Sequence, residues 1–119
     1  MEIDRRQQRS PIPDEAASLY LQSVAQRTGM RALAVADAQG LLIAGSGEAS
    51  VLEQLAAVGA AREADEGPWR ELLMEISDDS EYTGFPLDID GMCFCVAALG
   101  GTELPCGEIK EALNRILLS

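Results

Sequence analysis

Residues 31–45 read R-ALAVA-DAQG-LLIAG: two short apolar runs, Ala32 to Ala36 and Leu41 to Gly45, separated by Asp37-Ala38-Gln39-Gly40. An Asp at the first position of a four-residue turn and a Gly at its last fit a type I turn, with Gly40 free to take positive φ. The stretch is therefore predicted to be a β-hairpin. Neither run alternates apolar with polar residues, and strands of that kind belong in the middle of a sheet covered on both faces. Helical periodicity lies on either side of the hairpin and supplies candidates for that cover. The hairpin itself holds no group that does chemistry.

Upstream, Ala17, Leu21, Val24 and Thr28 recur at helical spacing beside Tyr20, an amphipathic pattern that runs to about Arg27 and stops at Gly29. Asp14 is the expected N-cap, with Glu15 favourable near the positive end of the helix. Residues 1–13 carry Arg5, Arg6 and Arg9 and are interrupted by Pro11 and Pro13. A flexible basic tail is expected there, followed by one domain over residues 14–119. Downstream, Gly45-Ser46-Gly47 breaks the strand and EASVLEQLAAVGAAREAD follows. This is the strongest helix signal in the chain, capped by Ser46 or Ser50 and reaching about Ala64. Leu52, Ala56 and Gly59 form one apolar ridge along it, and Val51, Leu55 and Val58 form another. Together they make a stripe wider than contact with one sheet requires. It suits a single buried face and a face shared with a partner equally well.

Glu66-Gly67-Pro68 closes that helix. Residues 69–77 then read either as a short helix opened by Pro68 or, over Leu72 to Ser77, as a strand. Glu81 to Asp88 has strand composition with Pro86 inside it, which suits an edge strand or a bulge. Asp90-Gly91 is a turn, and Met92 to Leu99 (MCFCVAAL) is the clearest strand in the chain. After Gly100-Gly101, Thr102 or Cys106 leads into a last helix over Glu108 to Leu118, whose core stripe is Ile109, Leu113, Ile116 and Leu117. The order α-β-β-α-(β)-β-β-α, with hairpins separated by helices, predicts an α+β fold: a central antiparallel sheet with helices on both faces.

Composition narrows what such a domain does. The 119 residues carry a net charge of −11, with 47% apolar and only 4% aromatic residues. A chain this acidic has few cations for nucleic-acid phosphates or anionic membrane surfaces, and its natural complement is a partner with a basic patch. From Glu63 to Asp90 ten carboxylates face the single cation Arg70, and Lys110 is the only lysine. No apolar run is long enough to span a bilayer, MEIDRRQQRSPIP lacks a secretory signal, and three cysteines are an odd number. A cytoplasmic location is expected.

The absence of histidine removes the commonest general base and most zinc sites. Cys93 and Cys95 fall on one side of a strand, but with Cys106 they lack a fourth ligand, and their apolar neighbours favour core packing. Asp78-Asp79-Ser80-Glu81 and Asp88-Ile89-Asp90 lack the ligand spacing of a calcium loop and read as a solvated acidic face. Gly45-Ser46-Gly47 sits where phosphate loops sit, without the G-x-x-x-x-G-K-S/T pattern or a nearby lysine. No catalytic, cofactor-binding or metal-ligating set emerges.

The order of elements and their central residues resemble the Roadblock/dynein light chain family. The matching parts are A-L-A-V-A-D-A-Q-G-L-L-I-A-G, V-L-E-Q-L-A-A-V-G-A-A, P-L-D-I-D-G-M-C-F-C-V-A-A-L and E-I-K-E-A-L-N-R-I-L-L, and the resemblance covers residues 14 to 118. It implies a non-catalytic adaptor that dimerises through the long helix and an edge strand, with itself or a paralogue. The resulting platform would bind a Ras-like small GTPase in signalling, polarity or motility. Carried over by position, the interface would involve Val51, Leu52, Leu55, Val58, Gly59 and Arg62, with Tyr82 and Phe85 on the edge strand. The family shows a clean strand where this chain has the ambiguous acidic segment Glu66 to Ser80. The alternative reading is a profilin-like small-molecule sensor with its ligand between sheet and helix.

Overall fold

The computed structural model describes residues 11–65, 67–77, 80–101 and 103–118. Over them the chain forms α1 (Pro11–Thr28), β1 (Met30–Asp37), β2 (Leu42–Ser46), α2 (Ala49–Ala64), α3 (Trp69–Ser77), β3 (Tyr82–Ile89), β4 (Met92–Gly100) and α4 (Cys106–Leu118). The four strands make one antiparallel sheet in the order β2-β1-β4-β3. The architecture is the expected α+β. Residues 69–77 are a helix, so the optional strand is not found among the described residues.

The DAQG turn closes the first hairpin as its residue types demand. Gly40 takes φ 87° and donates its N–H to the Asp37 carbonyl at 3.0 Å. The Asp37 carboxylate accepts from the N–H groups of Gln39 (2.9 Å) and Leu41 (3.0 Å). The two strands part company in position, however. β1 is central, with Ala32 to Ala36 all buried, but β2 lies at the sheet's edge. Its apolar character comes from lying between α1 and α2. Its free edge is partly occupied, because the Gly45 N–H donates to Ser18 Oγ on α1 at 3.3 Å. That satisfies a group which a bare edge would offer to another chain.

The sheet has one face of large residues and one of mostly small ones, where Leu99 is the large exception. Leu33, Val35, Val96, Phe85, Leu87 and Ile89 pack against Ala17, Leu21 and Val24 of α1 and Ile109 and Leu113 of α4. The opposite face offers Ala32, Ala34, Ala36, Ala97 and Cys95, and α2 lies on it through Leu52, Leu55 and Ala56. An alanine floor lets the helix axis come close. At Gly59 a Cβ would stand 2.9 Å from Cys95 Sγ and 3.2 Å from Ala97 Cβ, closer than side chains tolerate. At this glycine, the small residues of α2 admit the chain's own sheet.

Three boundaries differ from the sequence reading. α1 begins at Pro11, so Asp14 lies inside the helix and is not its N-cap. Prolines in a first turn lose nothing, because the first N–H groups of a helix have no partner within it. Residues 1–10 of the expected tail lie outside the described residues. α2 is capped neither by Ser46 nor by Ser50: Glu48 holds the N-cap position, and Ser50 Oγ donates to Glu48 Oε1 at 3.0 Å. α4 starts at Cys106, two residues before Glu108.

The second hairpin turns at Asp90 (φ 53°) and Gly91 (φ 79°), both left-handed, as a two-residue type I′ turn requires. Counting back from it, Pro86 opposes Cys95 in a pair without ladder bonds. Its missing N–H therefore faces the free edge of the sheet, as expected of a proline in an edge strand. Across the first face, Glu108 of α4 accepts from Tyr20 Oη (2.7 Å) and Arg27 Nη2 (2.7 Å) of α1 and ties the terminal helices together.

Candidate protein–protein interface on α2

Helical spacing divides α2 into three strips. Leu52, Ala56 and Gly59 face the sheet, Leu55 lies between that strip and the next and touches the cluster shared by the sheet and α3, and all four are buried. Val51, Gln54, Val58 and Arg62, spaced by three or four residues, share the flank toward α3. Ser50, Glu53 and Ala64 lie exposed on the remaining side, with Ala57 and Ala61 half-buried beside them.

The flank toward α3 is the most elaborated part of this surface. Gln54 Nε2 donates to the Leu72 carbonyl (2.9 Å) and to Glu75 Oε1 (2.8 Å). Arg31 at the start of β1 donates to the carbonyls of Ile76 and Ser77, the last of α3. It supplies a cation at a helix C-terminus whose own last turn has none. Leu73 and Ile76 pack on the cluster formed by Ala32, Ala34, Leu52, Leu55 and Leu99. The Arg62 guanidinium lies over two rings, Trp69 at 5.5 Å and Tyr82 at 5.2 Å. Burial pushes the Tyr82 hydroxyl up to about 12, against the opposing pull of Arg62.

The residues singled out in the sequence are thus distributed unequally. Val51, Leu55, Val58, Arg62 and Tyr82 do gather around one flank, but α3 of the same chain closes it. Leu55 and Val58 have no exposure at all. Leu52 and Gly59 lie beneath α2, on the sheet. Phe85 is on the opposite face, in the cluster under α1 and α4, with Lys110 Nζ over its ring at 5.6 Å. Tyr82 and Phe85 both lie on the edge strand β3, but three residues apart in a strand their side chains point to opposite faces. Gln54, Arg31 and Trp69 were missed by the sequence reading. The signal that could have found them is the i, i+1, i+4 spacing of Leu72, Leu73 and Ile76, which marks a helix needing a place to lie.

The remaining candidate groups are dispersed. Cys95 is buried under Gly59, with its thiol pushed up to about 11 by burial, while Cys93 on the same side of β4 is exposed, outside the core packing expected of it. Among the described residues no three of His, Cys, Asp and Glu come together to hold a metal ion. An open groove of about 260 Å³ runs between α1 and the β2 edge, lined by Glu15, Ser18, Leu19, Gln22 and Gly45 to Gly47. Glu81, Asp88 and Asp90 of the expected acidic face are exposed, as are Glu63, Asp65, Glu71 and Glu75, while Glu66, Asp78 and Asp79 lie outside the described residues. No helix among the described residues is long and apolar enough to cross a membrane.

One antiparallel sheet with the terminal helices on its large-residue face and the long middle helix on its small-residue face is the Roadblock/MglB type of fold. Solved MglB structures are similar to this chain along most of their length. A structure described as MglB with tetrameric arrangement aligns with a TM-score of 0.56 and 21% identity over 87% of this chain and 89% of its own. Gliding protein MglB from Thermus thermophilus gives a TM-score of 0.55 and 23% identity over 87% of this chain and 90% of its own. Myxococcus xanthus MglB gives 0.52 and 12% identity, covering 87% and 86%. No family model and no curated protein matches the sequence.

Proposed function

We propose that this chain is a non-catalytic regulator or scaffold that self-associates and binds a Ras-like small GTPase, acting in signalling, polarity or motility in the cytoplasm. The observation that carries this reading is the likeness of fold to three MglB structures over 87% of the chain. One of them is described as a tetrameric arrangement. The dimer is with a second copy or a paralogue, built on α2 and the edge strand β3. In it Val51, Arg62 and Tyr82 make rim contacts. Leu52 and Gly59 hold the helix from beneath, Leu55 and Val58 form the buried seam beside Val51, and Phe85 steadies β3 from the far face. A stable interface of this kind buries on the order of 1,600 Å² in total. The acidic face steers a partner with a basic patch, so association with the GTPase weakens as salt is raised.

The test is purification from the native cell with a non-hydrolysable GTP analogue or with GDP, beside light scattering of the pure chain. Nucleotide-dependent recovery of one small GTPase, with a dimer mass for the pure protein, is the expected outcome. Recovery of no nucleotide-binding protein in either state refutes the reading.

A further inference from the structure

We infer that α3 is a detachable cover on α2, occupying in cis the flank that a second copy of this chain would occupy in trans. This rests on the self-association proposed above and specifies how it is controlled.

α3 is lightly held. It has nine residues and no fully buried side chain among them. Helices shorter than about 12–15 residues are marginal in water by themselves, so α3 is ordered by what it lies against. Its apolar attachment is Leu73 and Ile76, both half-buried. Its polar attachments come from side chains of other elements: Gln54 to Leu72 and Glu75, Arg31 to Ile76 and Ser77, and Arg62 over Trp69. Releasing it breaks no sheet pairing.

What it covers is shaped for another helix. Gln54 and Arg62 both contact α3, and Val58, four residues from each, lies between them and is fully buried. Val51, Leu55, Val58 and Arg62 are spaced 4, 3, 4, the alternating seam by which two helices interlock side by side. Bared, this seam and the neighbouring Tyr82 ring would form an apolar stripe that needs cover in water. Across a two-fold axis the stripe of one copy meets the same stripe of the other, and the 4-3-4 spacing, which suits a second helix, commits the occupant to another α2. Closed, α3 competes with that copy. The apparent association constant falls by the fraction of molecules whose cover is open.

The test is the double variant Leu73→Glu/Ile76→Lys, which removes the apolar attachment of α3 and leaves α2 untouched. Met74→Glu serves as control, since Met74 is 75% exposed on the same helix. Sedimentation over a concentration series should show the double variant dimerising at a concentration about tenfold or more below wild type, with Met74→Glu unchanged. A wild-type dimer that the double variant leaves equal or weaker overturns the cover. Monomer for every protein at every concentration overturns the self-association of the proposed function, and the cover with it. Hydrogen exchange on the wild type decides the case should the variant not fold. Residues 69–77 should exchange well before the sheet does, and faster as protein concentration rises. Exchange of α3 only with global unfolding refutes a detachable cover.

Discussion

The close seating of α2 on its alanine floor yields the sharpest test of the fold. Substituting Gly59 by alanine should raise helix stability by about 1 kcal/mol, the usual cost of a mid-helix glycine. Here the new methyl would stand 2.9 Å from Cys95 Sγ and 3.2 Å from Ala97 Cβ. Cys95 is 4% exposed and hemmed in by Ala36 and Ala56, so the sulfur has nowhere to move. Overpacking of this kind costs about 1–3 kcal/mol. The overpacking outweighs the propensity gain, and Gly59→Ala should lower stability by about 1 kcal/mol. Cys95→Ala removes the obstructing atom, at a cost of about 1 kcal/mol for the cavity it leaves. In that background the same Gly59→Ala change should become neutral or stabilising, a coupling of about 1–2 kcal/mol between the two sites. Urea unfolding of the four proteins, with equal m values, measures the cycle. A Gly59→Ala variant more stable than wild type by the full helix propensity, with no coupling to Cys95, refutes the close approach of helix and sheet.

Other expectations follow from burial and electrostatics. Leu55→Ala should cost about 2–5 kcal/mol. Leu55 is fully buried within one chain, and urea titration at low protein concentration, where the chain is monomeric, measures that loss. Glu108 is held down to about 2 from an ordinary 4.5 by its hydrogen bonds from Arg27 and Tyr20. Its folded value lies below the unfolded one, so its stabilisation is complete above about pH 4.5 and is lost as pH falls toward 2. Glu108→Gln should flatten the acid limb of a plot of urea midpoint against pH, and an unchanged limb refutes the link between α1 and α4. Maleimide labelling of the native protein near neutral pH should modify exposed Cys93 quickly and buried Cys95 only after unfolding, as read by peptide mass spectrometry.

Local chemistry determined much of this protein. The Asp37–Gly40 and Asp90-Gly91 turns, the span of α2 from Ala49 to Ala64, Gly29 after α1 and the edge position of Pro86 were all legible, because each depends on a few neighbouring residues. Tertiary structure decided the rest. Whether an apolar strand is central or peripheral depends on which strands lie beside it, so β2 went to the edge although it reads like β1. Residues 69–77 read equally well as helix or strand. They became α3 where Gln54 and Arg31, 18 and 45 residues earlier in the chain than the carbonyls they bind, reach it, Arg31 satisfying terminal carbonyls that a short helix leaves open. The candidate interface was legible as a stripe on α2, since periodicity alone reveals an apolar face. What fills that face depends on contacts between residues far apart in sequence, which periodicity does not encode.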